Sequence, residues 1–110
     1  VDLGPRRRLA LTHYALRHDA SRDFLRDWVV QASADGEAWV DVRRHASDPS
    51  LKVAHQWAAW PLVGHAAARP WRALRVLLDR PNAGADNPWH LALSAWEFYG
   101  HLYEEHGPFA

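Results

Sequence analysis

The chain of 110 residues has no cysteine and no methionine, and Lys52 is the only lysine among its thirteen basic residues. Without cysteine there is no disulfide scaffold, no thiolate nucleophile and no cysteine-based metal site. A small secreted domain ordinarily relies on disulfide staples, so a reducing, cytoplasmic or otherwise intracellular compartment is expected. With no methionine present, Val1 is not a native start as written, and the chain reads as part of something longer. No apolar run approaches the length of a membrane span, and no signal peptide is visible. Thirteen acidic residues cancel the thirteen basic ones, so bulk charge recruits neither nucleic acid nor an anionic membrane. The excess of Arg and Ala fits codon usage in a GC-rich genome; an Arg-dependent binding face is the other reading.

What is there points to strands. At 48% hydrophobic content the chain has apolar material for one modest core. Trp28-Val29-Val30-Gln31-Ala32 is rich in β-branched and aromatic residues, and Trp39-Val40-Asp41-Val42 alternates apolar and polar. Between them stands Asp35-Gly36, a strong hairpin signal because Gly36 tolerates the positive φ that a tight turn needs. Leu9 to Arg17 has apolar residues at 9 and 11 and then at 14 and 16, a slip of phase that predicts a bulged strand. Further strands are expected over Gln56–Leu62, ended or placed at an edge by Pro61, over Trp71–Leu78, and over His90–Tyr99, ended by Gly100. Loops are expected over His18–Arg26, Arg44–His55, Val63–Pro70 and Arg80–Pro88. Residues 103–110 are expected to be a tail or linker. Ala and Leu make a helix the competing reading for residues 66–78 and 90–99, but Pro70, Pro88 and Gly100 bracket segments of strand length.

The ordered set Val1-Asp2-Leu3-Gly4, Thr12-His13-Tyr14-Ala15-Leu16-Arg17-His18, Trp28 to Trp39, Trp71-Arg72-Ala73-Leu74-Arg75-Val76 and Leu91 to Gly100 resembles the discoidin-like, or F5/8 type C, galactose-binding-fold domains. The resemblance covers residues 1–102. It is nearest to the intracellular members attached to BTB, kelch or HECT ubiquitin-ligase architectures, since secreted members usually carry a disulfide. The fold it implies is all-β, a β-sandwich jelly roll. Members carry further strands before the Asp2-Leu3-Gly4 turn, with a loop that often shapes the ligand pocket. Those first strands are expected to be missing here.

The chemistry-bearing residues give little support to catalysis. There is no Gly-x-Ser-x-Gly elbow and no phosphate-binding Gly-rich loop, and nothing pairs the Ser, His and Asp residues. A carboxylate pair of Glu97 with Asp79 or Asp86 is conceivable, but chance explains it equally well. Eight histidines lack metal-ligand spacing. His101 and His106, with Glu104 and Glu105, read as solvated, so no metal and no cofactor is expected. Trp28, Trp39, Trp71 and Trp96 are expected between two sheets. Trp60, before Pro61, and Trp89, after the Asn82–Pro88 loop, are the better surface candidates. Arg17, His18 and Arg22 open a loop of alternating charge that is either a solvated network or a site where guanidinium groups meet an acidic peptide. The basic run Arg6-Arg7-Arg8 is read as solubilising. Arg75, if buried, needs a carboxylate, and Glu97 is the expected partner.

Together these residues describe a non-catalytic binding module of a larger intracellular protein. Loops gathered at one end of the sandwich, His18–Arg26, Asp48–Gln56 and Arg80–Trp89, would do the binding through Arg17, His18, Arg22, Trp60 and Trp89. The resemblance implies a protein partner. A carbohydrate-binding, lectin-like domain and a structural piece of a large assembly are the alternatives.

Overall fold

The computed structural model describes residues 1–64, 69–83 and 86–104. Its strands follow in the order β1 (Arg7–His18), β2 (Trp28–Ser33), β3 (Val40–His45), β4 (Trp57–Pro61), β5 (Pro70–Trp71), β6 (Ala73–Leu78) and β7 (Leu93–Glu104). All pairings are antiparallel, and no helix occurs among the described residues. The helical reading of residues 66–78 and 90–99 is thereby overturned for the described part of those stretches. In the first sheet β7 runs along the whole of β1, while β4 pairs with residues 13–17 of β1 and β5 with residues 9–10. The second sheet has the order β3-β2-β6.

Side-chain alternation decides how the two sheets face each other. β2 turns Trp28, Val30 and Ala32 inward, and β6 turns Leu74 and Val76 inward. From the first sheet come Leu11, Tyr14 and Leu16 of β1, Trp60 of β4 and Trp71 of β5. Leu25, Leu51, Leu62 and Ala92, from connecting segments, close the core. The result is a β-sandwich.

The phase slip in β1 is a bulge at Thr12: Leu11 lies opposite Gly100, whereas His13 lies opposite Tyr99. The bulge lets Leu9 and Leu11 on one side of it, and Tyr14 and Leu16 on the other, point to the same interior. Gly100 is required where the strands close up, because a Cβ there would stand 2.1 Å from the Ala10 carbonyl oxygen.

The hairpin stands where the sequence places it, but its connection is longer than a tight turn and runs over residues 34–39. Asp35 holds it: the carboxylate accepts from the N–H groups of Glu37 and Ala38 and from the Ser33 hydroxyl, and Gly36 takes φ +83°. Trp39 therefore precedes its strand. Its ring is half-buried outside the core, under the Arg75 guanidinium at 4.0 Å.

Three further expectations are corrected. Trp71 to Leu78 is not one strand: β5 belongs to the first sheet and β6 to the second, and the chain crosses between them at Arg72. Arg72 secures the corner by donating to Asp2 at 3.0 Å and to the Asp35 carbonyl at 3.2 Å. Arg75 does not meet Glu97. Because Arg75 lies on the outer side of β6, it donates to Gln31 at 2.8 Å, while Glu97 accepts from the Tyr99 hydroxyl. The last strand does not stop at Gly100 but continues through Glu104, which takes Arg7 as an ion-pair partner at 3.3 Å, so residues 103 and 104 are not tail. Glu105 and His106 lie outside the described residues.

Candidate functional site

In this antiparallel arrangement the end of β1, the starts of β2 and β4, and the segments after β3 and β6 meet at one end of the sandwich. Hydrogen bonds knit those segments together. The Asp19 N–H donates to the Ala92 carbonyl at 3.1 Å, and His55 donates to the Asp19 carbonyl at 3.1 Å. Phe24 and Ala83 exchange two backbone bonds of 2.8 Å, and Asp48 donates to the Arg26 carbonyl at 2.8 Å. The segments His18–Arg26 and Asp48–Gln56, with the described residues 80–83 and 86–89, thus form one rim.

A nearly buried carboxylate pins the rim from within. Asp23 accepts from the Asn87 N–H at 2.9 Å and faces His90 Nδ1 at 3.3 Å. Asp19 stands 3.8 Å from the other nitrogen of His90. Burial works against the charge of Asp19, but bonds from the Ser21 hydroxyl and N–H, with His18 and His90 nearby, hold its carboxyl below the usual value. Among the described residues no group of three His, Asp or Glu side chains is arranged to hold a metal ion.

The five residues singled out from the sequence separate into two sets. Trp89 projects from the rim at 59% exposure, and Arg22 is exposed with Asp86 at 3.6 Å. Arg17 lies half-buried on the outer side of β1 and donates to the His55 carbonyl at 3.2 Å. The other two point inward. His18 is fully buried, stacked on Phe24 at 4.4 Å with its Nε2 at 2.7 Å from the Ser21 carbonyl. Trp60 is 7% exposed, and its ring packs edge-on against Trp28 at 5.2 Å. The expectation of a surface Trp60 fails because the residue shares the inward phase of β4, opposite Tyr14, and only its neighbours Ala59 and Pro61 face out.

Sequence reasoning missed Val53, Trp57 and Leu91, all exposed in or beside the rim segments. Trp57 lies opposite Arg17 in the register of β1 and β4, so an indole and a guanidinium share the outer side of the sheet next to the rim. Alternation marks this: Trp57 is out of phase with the inward Trp60. Away from the rim, a shallow open cavity of about 280 Å³ lies against Thr12, His13, Ala59, Trp60 and Pro61. The carboxylates Glu97, Asp79 and Asp86 do not pair; they serve Tyr99, Arg44 and Arg22 respectively.

Beneath the rim runs a polar chain that is buried at Tyr14 and His45 and partly exposed at Asp48 and Ser50. The Tyr14 hydroxyl bonds His45 Nε2, His45 Nδ1 lies 2.8 Å from Asp48, and Asp48 accepts from the Ser50 N–H at 2.9 Å. An ionised carboxylate only accepts, so Nδ1 carries the imidazole proton and the tyrosine O–H donates to Nε2. Burial raises the Tyr14 hydroxyl far above its usual value, which keeps it a donor. Burial also lowers His45 despite the opposing pull of Asp48.

Comparison with known proteins gives the context. A BTB/POZ domain-containing protein of Arabidopsis thaliana is 39% identical over 102 residues, which is 93% of this chain and 13% of that protein. The E3 ubiquitin-protein ligase Ufd4 of Drosophila melanogaster is 34% identical over 94 residues, 83% of this chain and 3% of that protein. The E3 ubiquitin-protein ligase hecd-1 of Caenorhabditis elegans is 31% identical over 93 residues, again 83% of this chain and 3% of that protein. The chain is therefore similar to small segments of much larger proteins. Neither a family model nor a solved structure matches it.

Proposed function

We propose that this domain is a non-catalytic, discoidin-like recognition module of a larger intracellular protein of the ubiquitin-ligase context, binding a protein partner at its rim. The observation that carries the reading is the fusion of three loops into one hydrogen-bonded rim that leaves Trp89 and Arg22 exposed. A scaffold held at this many points presents its side chains with little ordering cost on binding. The indole supplies a large contact surface, and the guanidinium groups of Arg17 and Arg22 suit carboxylates of an acidic segment. The similarity to segments of two E3 ubiquitin-protein ligases favours a part that selects what the parent protein acts on. No catalytic constellation is needed for that task.

An immobilised peptide array of acidic, neutral and basic sequences, probed with the purified chain, tests the proposal. Acidic peptides are expected to be retained, with Trp89→Ala and Arg22→Ala each losing about tenfold in affinity, as for central interface residues. Retention unchanged by both substitutions would exclude the rim. Binding to a glycan array with no peptide retained would move the assignment to the lectin-like alternative.

A further inference from the structure

A guanidinium donates from its Nε and from a fork of two terminal nitrogens, and a fork left free is shaped for a carboxylate. The arginines of the rim differ in how theirs is used. Arg22 stands 3.6 Å from Asp86, and Arg26 donates through a terminal nitrogen to the carbonyls of Leu25 and Leu51. Arg80 is exposed and, among the described residues, is fixed by no side-chain bond. Arg17 is both fixed and free. Its Nε donates to the His55 carbonyl at 3.2 Å, while its two terminal nitrogens have no hydrogen-bond or carboxylate partner among the described residues.

The anchor of Arg17 is itself held firmly. His55 takes φ +61°, a left-handed conformation uncommon outside glycine. Its N–H donates to the Asp19 carbonyl at 3.1 Å, and the next carbonyl, of Gln56, accepts from the His18 N–H at 2.9 Å. The Gln56 side-chain oxygen accepts from the N–H groups of Lys52 and Val53 at 2.9 and 3.2 Å. On the outer side of the first sheet Arg17 stands between Trp57 of β4, which is 45% exposed, and Ala95 of β7, too small to cover it. The nearby carboxylates are committed elsewhere: Asp19 accepts from the Ser21 N–H, and Glu97, two residues beyond Ala95, accepts from the Tyr99 hydroxyl.

We propose that Arg17 and Trp57 form the carboxylate subsite of the rim, taking a peptide segment in which an acidic group stands beside a bulky apolar side chain. The carboxylate accepts two bonds from the fork of Arg17, and the apolar group lies on the indole and on the exposed Val53. Directly paired residues of antiparallel strands have Cβ atoms about 5 Å apart, so one short segment reaches both groups. Arg22, already neutralised by Asp86, is then a lesser contributor to charge recognition. This deepens, and rests on, the reading of the rim as a surface for an acidic segment.

The best-retained acidic peptide of the array, measured in solution by fluorescence anisotropy, tests the subsite. Arg17→Gln is expected to weaken it about tenfold, as loss of a charge-assisted pair does. Replacing the acid of the peptide by its amide should cost the starting chain the same and cost Arg17→Gln nothing further. That coupling distinguishes a lost contact from a damaged fold. Trp57→Ala should cost about tenfold with a bulky apolar residue beside the acid, and little with alanine there. Amidating the carboxyl terminus of the peptide tells the two sources of the carboxylate apart: a loss assigns it to the chain end, and unchanged binding to a side chain. Affinity indifferent to Arg17→Gln but weakened by Arg22→Ala or Trp89→Ala overturns the subsite and leaves the reading of the rim standing. No peptide retained by the starting chain overturns both.

Discussion

Two polar networks lie on either side of the second sheet, and they differ in what they can cost. The inner one runs Tyr14–His45–Asp48–Ser50, against Trp28 and Trp60. The outer one runs from Arg75, stacked on Trp39, through Gln31, Asp41 and Arg44 to Asp79. β3 feeds both, sending Asp41 and Arg44 outward and His45 inward. The bonds are of the same kind and similar length. Water stands ready to replace any lost bond of the outer network, but Tyr14 and His45 of the inner one are buried away from it. Geometry alone therefore ranks them as equals, and only burial separates them.

The sharpest break is to remove the apolar wall of the inner network. Trp28 is fully buried, stacked on His45 at 4.1 Å and edge-on to Trp60. Trp28→Ala leaves a cavity among rigid rings and is expected to cost about 3–5 kcal/mol in chemical denaturation. A loss below 1 kcal/mol would mean that the sandwich closes over the gap and that the inner network is not held by its walls.

Next comes the network itself. Tyr14→Phe keeps the ring and orphans His45 Nε2, an expected loss of about 1–3 kcal/mol. The pH dependence carries a separate signature. Burial depresses the native imidazole of His45, so the unfolded chain binds a proton that the folded chain refuses. Stability linked to His45 is then complete above the ordinary histidine value of about 6.5 and falls as pH drops below it toward the native value, by at most about 1.4 kcal/mol per pH unit. His45→Phe should flatten that slope in denaturation curves between pH 7 and 5, whatever constant offset it adds. An unchanged slope would show that another histidine dominates.

How much of this was legible depends on whether the signal is local. The bulge was readable because Leu9, Leu11, Tyr14 and Leu16 carry its phase shift in their own spacing. The hairpin was readable from Asp35-Gly36, and the gathering of loops followed from antiparallel strands alone. The Arg72 crossing was not: Trp71 and Ala73 are both buried, and nothing local says that they belong to different sheets. Trp60 went wrong by trusting the neighbouring Pro61 over alternation with Ala59. Arg75 and His18 went wrong for a common reason. Their partners, Trp39 with Gln31 and Phe24 with Ser21, are set by the course of a loop or by pairing between strands, which periodicity does not report.

The smallest effect belongs to the outer network, and it is the one that makes the contrast quantitative. Arg44 donates to Asp41 at 2.9 Å and to Asp79 at 2.6 Å, lengths comparable to those of the inner chain. Both carboxylates and the guanidinium are open to solvent, so salt and water screen the attraction and each lost bond is replaced at once. Arg44→Ala is expected to leave the denaturation midpoint within experimental error of the parent chain. The same substitution measured at low and high salt should show no growing difference. If Arg44→Ala instead matched the loss from Tyr14→Phe, the outer ladder would be cooperative and shielded, and burial would not be what divides the two networks.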